Sequence, residues 1–265
     1  MASSGLEEEY ISDEDYRTYF SELNGLRKRI VNVLPTRSGM RILDLATGDG
    51  YFAIELARRD SSLRVIGIDI SQHYVLEAKR NIENRRLTGQ IQVIEMDATD
   101  MNFPDEEFDI VANFTGLDEI YMTRGRGGVN KTFLEVNRIL KPNGHFCFVV
   151  MPPEEMETQA QRIEVDVFSY VCNATYLSGG EYEDLLKGAG FGLITKNEYF
   201  TGKKLTSEQA KEEIRSVCDN VPKYYGINTE PFEAVWERFG KDVQKYGMGY
   251  YSKVVLFVAR KARNR

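Results

Sequence analysis

Apolar residues fall along the chain in two alternating textures. Short unbroken runs predict strands at "RILDL" (41–45), "RVIGID" (64–69), "IQVIEMD" (91–97), "FDIVANF" (108–114), "HFCFVVM" (145–151), "GLITKNEYF" (192–200) and "KVVLFVA" (253–259). The first five are continuous rather than alternating, the mark of strands covered on both faces. Between them the apolar spacing lengthens to that of a helix. After Ser71, a good N-cap, Val75, Ala78 and Ile82 share one face. From Lys131, a second helix carries Phe133, Leu134, Val136 and Leu140 until "KPNG" stops it. Strand–helix alternation predicts an α/β, doubly wound, mainly parallel seven-stranded sheet with right-handed crossovers.

Two stretches exceed what such a sheet needs. Residues 1–39 hold a tyrosine-rich acidic segment and the helix "YFSELNGLRKRIVNVL", and read as an N-terminal helical lid. Residues 201–249 read as a helical cap inserted before the last strand. There Thr206 and Gln209 suit a capping box. A further helix beginning near Thr229–Pro231 shows Phe232, Val235, Trp236, Phe239 and Val243 at helical spacing, most of which core packing explains. The core then spans 40–200, and 250–265 holds the last strand and a basic tail.

Composition narrows the function classes. With 265 residues and 42% hydrophobic content, the chain can bury a sizeable core. A net charge of −7 repels phosphate backbones, so nucleic acid is not expected as a partner, and the tail "RKARNR" reads as a solvated end. Cys147, Cys172 and Cys218 are an odd number at wide spacing, neither a disulfide framework nor a zinc pattern, so no metal is expected. No apolar run approaches a membrane span. The start "MASSGLEEEY" lacks the apolar core of a secretory signal, and a cytoplasmic location is expected.

The candidate chemistry sits at strand ends. Asp44 lies inside the first apolar run, and Ala46, Thr47, Gly48, Asp49 and Gly50 follow as a small, turn-prone loop. In an open α/β sheet the ligand lies beyond the carboxyl ends of the strands at the switch point. Small residues there let backbone N–H groups approach it, with the positive end of the next helix behind. Gly48-x-Gly50-x-x-Ala53 matches the relaxed dinucleotide fingerprint, a weak signal alone. Asp44 suits a ligand ammonium, and Asp69, ending the second strand, suits both hydroxyls of a ribose. Asp97, with small Ala98 after it, suits an adenine amino group. The three fit an adenosine joined to an amino acid.

On these residues the chain resembles the class I, Rossmann-like S-adenosylmethionine-dependent methyltransferases, through "ILDLATGDG", "VIGIDIS", "VIEMDATDMNFPDEEFDIV" and "RILKPNGHFCFV" in order, from about Gly39 to Met151. It is most similar to the group that includes ubiquinone and menaquinone biosynthesis methyltransferases and many small-molecule enzymes. One departure is Ala46, where the family loop usually begins with Gly; Thr47 also replaces a small residue or Cys. The resemblance implies S-adenosyl-L-methionine as cofactor and S-adenosyl-L-homocysteine as product. It implies Asp44, Ala46 and Gly48 at the methionyl end, with Thr47 and Gly50 in the same loop. It also implies Asp69 on the ribose, Ile70 packed on adenine, and Asp97 and Ala98 at the adenine edge. Asn113, Phe114 and Thr115 would lie near the sulfonium, and Tyr10, Tyr16 or Tyr19 would close the site.

A sulfonium methyl is already electrophilic, so the protein supplies alignment and a dry pocket, and a base only where the nucleophile must lose a proton. Transfer is then an in-line displacement. The segment "NFTGLDEIYMTRGRGGVNK" reads as a long loop; Asp118, Glu119 and Tyr121 are its candidates for orienting or deprotonating an acceptor. Arg124 and Arg126, among glycines, suit an acidic group on a substrate. Tyr225 and Trp236 of the cap hint at a planar or apolar acceptor. The leading expectation is methyl transfer to O, N or C of a small molecule. The alternatives are a protein or RNA methyltransferase, a thiol or arsenite methyltransferase using the cysteines, an NAD-dependent oxidoreductase and a non-enzymatic cofactor-binding regulator. Burial of Cys147 in a strand argues against the cysteine reading. The sequence leaves the oligomeric state open.

Overall fold

A computed structural model describes residues 7–262. Residues 1–6 of the expected lid and 263–265 of the basic tail lie outside them. In chain order the strands are β1 (Glu9–Tyr10), β2 (Arg41–Leu45), β3 (Arg64–Asp69), β4 (Ile91–Glu95), β5 (Phe108–Phe114), β6 (Leu140–Val150), β7 (Phe191–Phe200), β8 (Lys203–Leu205), β9 (Met248–Gly249) and β10 (Lys253–Lys261). The α-helices are α1 (Asp13–Glu22), α2 (Leu26–Val33), α3 (Tyr51–Arg59), α4 (Gln72–Asn84), α5 (Leu117–Ile139), α6 (Gln159–Val171), α7 (Gly179–Gly188), α8 (Ser207–Tyr225) and α9 (Phe232–Tyr246).

Seven strands form the main sheet in the order β4-β3-β2-β5-β6-β10-β7. All the expected strands are present, and β10 alone runs antiparallel to its neighbours β6 and β7. Both faces are buried. Ile42, Ile110 and Cys147 pack into one apolar cluster, while their neighbours Leu43, Val111 and Phe146 pack into the other. That two-sided burial is the reason the strand sequences do not alternate with polar residues. The chain leaves β2 towards β3 and β4, then returns to β5 on its other side. The order therefore reverses at β2/β5, and a crevice opens there at the carboxyl ends.

Three elements differ from the sequence reading. The expected loop after β5 is helical: α5 starts at Leu117 and absorbs its glycines at a single kink, Gly125 (φ 66°, ψ −176°). At its far end α5 stops at Ile139. Leu140 already pairs with Phe108, and "KPNG" bulges inside β6 before His145 pairs with Ile110. Ser71 flanks α4 as expected, but its hydroxyl caps nothing; Asp69 accepts the Ser71 N–H instead.

The cap draws on more of the chain than 201–249. The capping box at Thr206 and Gln209 forms, and α9 begins at Phe232 after Pro231. Helix α6, which the sequence reading places in the core, packs on α8 and α9. A second sheet, β1-β8-β9, ties the N-terminal segment to the cap, with Glu9 and Tyr10 beside Lys203 and Lys204. The N-terminal segment is two helices joined by a 3-10 turn at Leu23–Gly25.

Candidate active site

Asp44 sits deep in β2, opposite Gly67 and Ala112, and Gly67 leaves room for the Thr47 side chain that reaches the Asp44 carboxylate. Its Oδ2 accepts from the Thr47 hydroxyl at 2.6 Å, and its Oδ1 has no hydrogen-bond partner. Burial pushes its pKa up to about 7, against the pull of Thr47, the Ala53 backbone N–H at the start of α3, and Arg27. A buried carboxylate with one orphaned oxygen is a receptor for a cation. The loop behind it is held from β3: Thr47 N–H donates to the Ile68 carbonyl and Gly48 N–H to Asp69 Oδ2 at 2.9 Å. Ala46 takes φ 50°, the left-handed region that favours glycine. Gly116 makes the room: a Cβ there would stand 2.6 Å from the Ala46 Cβ. Gly50 opens α3 and lines none of the cavities described.

Asp44, Ala46, Thr47, Gly48 and Phe114 line one pocket at the crevice. Ala46, Asp69, Ile70, Asp97 and Ala98 line a second beside it. Asp69 is buried, and its carboxylate already accepts from Gly48 and Ser71 N–H groups; burial raises its pKa. Asp97 takes two hydrogen bonds from Thr99 and an ion pair from Arg124, at 2.8 Å. Partial burial pushes the Asp97 pKa up, but those bonds outweigh it and hold it below its ordinary value. Arg124, expected on a substrate loop, therefore lies on α5 across the mouth of the second pocket. Arg126 points elsewhere, to an ion pair with Glu181 of α7.

The N-terminal helices reach the first pocket with other residues than the expected tyrosines. Tyr10 is exposed beneath Lys204, Tyr16 donates weakly to Glu213 of α8, and buried Tyr19 donates to Thr201; none lines a described cavity. Phe20 and Arg27 line it instead. The Arg27 guanidinium is buried among the rings of Phe20, Tyr51 and Phe114, donates to the Phe20 carbonyl at 2.6 Å, and leaves Nε unpartnered. The signal was present: Arg27 falls on the apolar face of α2 with Leu26, Ile30 and Val31. Asn113 is a brace rather than a lining residue. Its amide donates to the Leu45 carbonyl and its carbonyl accepts from Gly116 N–H.

A third cavity, of about 410 Å³, lies beneath the cap. Thr115, Phe20, Tyr74 and Tyr251 are shared between it and the first pocket. Thr115 (φ 60°) and Tyr251 (φ 49°), both left-handed, stand at that junction with Ala46 nearby. Strained non-glycine residues concentrate where a backbone must be re-aimed. Glu119 borders all three cavities. Burial, then Asp69 and other nearby acids, pushes its pKa up to about 8. Asp118 lies beside it, pushed up to about 7 by burial, and accepts weakly from Tyr182. Tyr225 lines the second and third cavities. Tyr121 packs on the core below α5 and Trp236 packs against Phe232 under Lys211; neither borders these cavities.

The sheet order and the crevice at β2/β5 define a Rossmann-like α/β protein with its ligand crevice at the switch point. A sequence profile described as a methyltransferase domain matches residues 36–217, and the chain belongs to that family. It is an S-adenosylmethionine-dependent methyltransferase. It is 26% identical over 253 residues to 27-O-demethylrifamycin SV methyltransferase of Amycolatopsis mediterranei, covering 94% of this chain and 87% of that protein. It is 34% identical over 191 residues to the demethylmenaquinone methyltransferase of Lactobacillus johnsonii, covering 65% of this chain and 77% of that one. Among solved structures it superposes on the cyclase SpnF with a TM-score of 0.62 at 21% identity, over 92% of this chain and 81% of that one.

Proposed function

We propose that the chain transfers a methyl group to a small-molecule acceptor held in the chamber under the cap. The observation that carries this reading is the contiguity of two crevice pockets with a larger chamber under the cap through Thr115, Glu119 and Tyr251. S-adenosylmethionine, when bound, supplies an electrophilic methyl group on a sulfonium. In this reading the Asp44 Oδ1 receives the ligand ammonium and Arg27 Nε its carboxylate. Asp69 takes the ribose hydroxyls, while Ile70, Ala98 and Asp97 hold the adenine once Arg124 releases that acid. In this reading the cap and Phe20 cover the reacting centre, and transfer runs by in-line displacement. Glu119 is the group placed to accept a proton from the acceptor. The cation beside it draws its pKa down from about 8, so it serves as base near neutral pH.

A small acceptor is supported by the chamber's size, about 410 Å³, and by the small-molecule substrates in the names of both relatives. A protein or RNA acceptor would need an open groove. Among the described residues no helix is long and apolar enough to cross a membrane. Calorimetric titration tests the reading. S-adenosylhomocysteine should bind, and Asp69→Ala should weaken it by roughly 1–3 kcal/mol. Heat with NAD and none with S-adenosylhomocysteine would refute it. Labelled methyl should enter a metabolite extract rather than protein or RNA.

A further inference from the structure

The chamber under the cap has an unusual charge. Among the described residues its wall carries four carboxylates, Asp118, Glu119, Glu164 and Glu213, and no Lys, Arg or His. They come from three helices, α5, α6 and α8, so the cluster is not one acidic face of a single element. Glu164 is 1% exposed; its Oε1 accepts from Tyr251 N–H at 2.6 Å and its Oε2 has no partner. Six tyrosines complete the wall, and the buried Tyr225 hydroxyl faces Glu119 as a hydrogen-bond donor. An uncompensated carboxylate is costly to bury, and four around one space are costlier. An anionic guest would be repelled. Beside a neutral guest Glu164 would stay protonated, with its second oxygen still lacking a partner. A cation would satisfy it, with tyrosine faces adding cation–π attraction.

We propose that the acceptor is an amine that enters this chamber as a cation, and that the methyl group goes to nitrogen. This rests on the methyltransferase reading above and narrows its acceptor. The ammonium gives one proton to a chamber carboxylate, with Glu119 nearest the cofactor pockets. The freed nitrogen lone pair forms the N–C bond as the C–S bond breaks, and that bonding pair stays on sulfur. The products are an N-methylated ammonium and S-adenosylhomocysteine, and the proton passes from the carboxylate to solvent. Two positive charges enter the site and one leaves it on the product, which the surplus of acids tolerates. Burial raises the pKa of Glu164 and Glu213, as expected of acids awaiting a counter-charge.

Three probes of one skeleton test this by calorimetry, with the enzyme saturated with S-adenosylhomocysteine: 2-phenylethylamine, 2-phenylethanol and phenylacetate. The amine is expected to bind roughly tenfold or more tighter than the alcohol, and phenylacetate not to bind. Glu164→Gln and Glu213→Gln should each shrink the preference. Their S-adenosylhomocysteine affinity reports that the variants are folded, since neither residue borders the crevice pockets. Equal or tighter binding of the alcohol, binding of phenylacetate, or no binding of the amine would overturn the amine assignment. Failure of S-adenosylhomocysteine itself to bind would instead overturn the methyltransferase reading.

Discussion

At Ala46 a methyl group occupies a left-handed position, and the structure tolerates it because residue 116 has none. The pair makes a test by double-mutant cycle. Gly116→Ala should destabilise the fold by roughly 1–3 kcal/mol, through overpacking against Ala46. Adding Ala46→Gly should restore part of that, since it removes the clashing methyl and the strained φ, while the Asn113 amide still stands 2.8 Å from the new Cβ. Denaturant titration of the three variants checks it; no coupling would mean that the two sites relax independently. Asp44 calls for a different experiment. Asp44→Asn keeps an acceptor for Thr47 but loses the charge, and S-adenosylhomocysteine affinity should fall roughly ten- to a hundredfold with little loss of stability. The three acids were readable in sequence because Asp44 interrupts an apolar run and Asp69 and Asp97 each end one. Arg27 was not, because "RKR" looks like a solvated stretch until the helical phase places its first arginine inward.

Helix α5 is where sequence and structure part most. Glycines at 125, 127 and 128 and two arginines resemble a mobile loop, yet only Gly125 leaves the helical region. Gly128 is needed because the Arg124 side chain crosses it, where any Cβ would collide. Arg124 is thereby steered to Asp97, and the two arginines take unrelated roles. Arg124→Ala should tighten S-adenosylhomocysteine binding up to about fivefold, by freeing Asp97 from a half-exposed ion pair of modest strength. Arg126→Ala should leave it unchanged. Equal effects of the two would contradict the assignment. The main strands were legible because two-sided burial writes continuous apolar runs. The cap was legible only in part: α6 joins it through contacts distant in sequence, and β1 is two residues long, too short for any periodicity.

Over the whole molecule, buried acids dominate the crevice and chamber. Burial raises Asp44 and Asp118 to about 7, and Glu119 and Glu164 to about 8. The groups facing Glu119 are Asp118 on α5, Asp69 at the end of β3, Asp49 in the crevice loop, Tyr74 on α4, Cys172 after α6, Tyr225 on α8 and Tyr251, with Arg27 lining the same pocket. In the unfolded chain these carboxyls ionise near pH 4. Between about pH 4 and pH 8 the folded protein holds more protons, so its stability is greatest at the acidic end and declines as pH rises, levelling above about 8. The ligand-free thermal midpoint should drop by roughly 5–10 °C between pH 6 and 8.5, and Glu119→Gln should flatten the decline. A midpoint that rises over that range would contradict the burial account. The most direct measurement of the central claim is a crystal structure with S-adenosylhomocysteine. The account predicts its ammonium at Asp44, its ribose at Asp69, its adenine between Ile70 and Ala98, and its sulfur facing the chamber past Thr115. A ligand seated away from Asp44 and Asp69, or with its sulfur turned from the chamber, would contradict it.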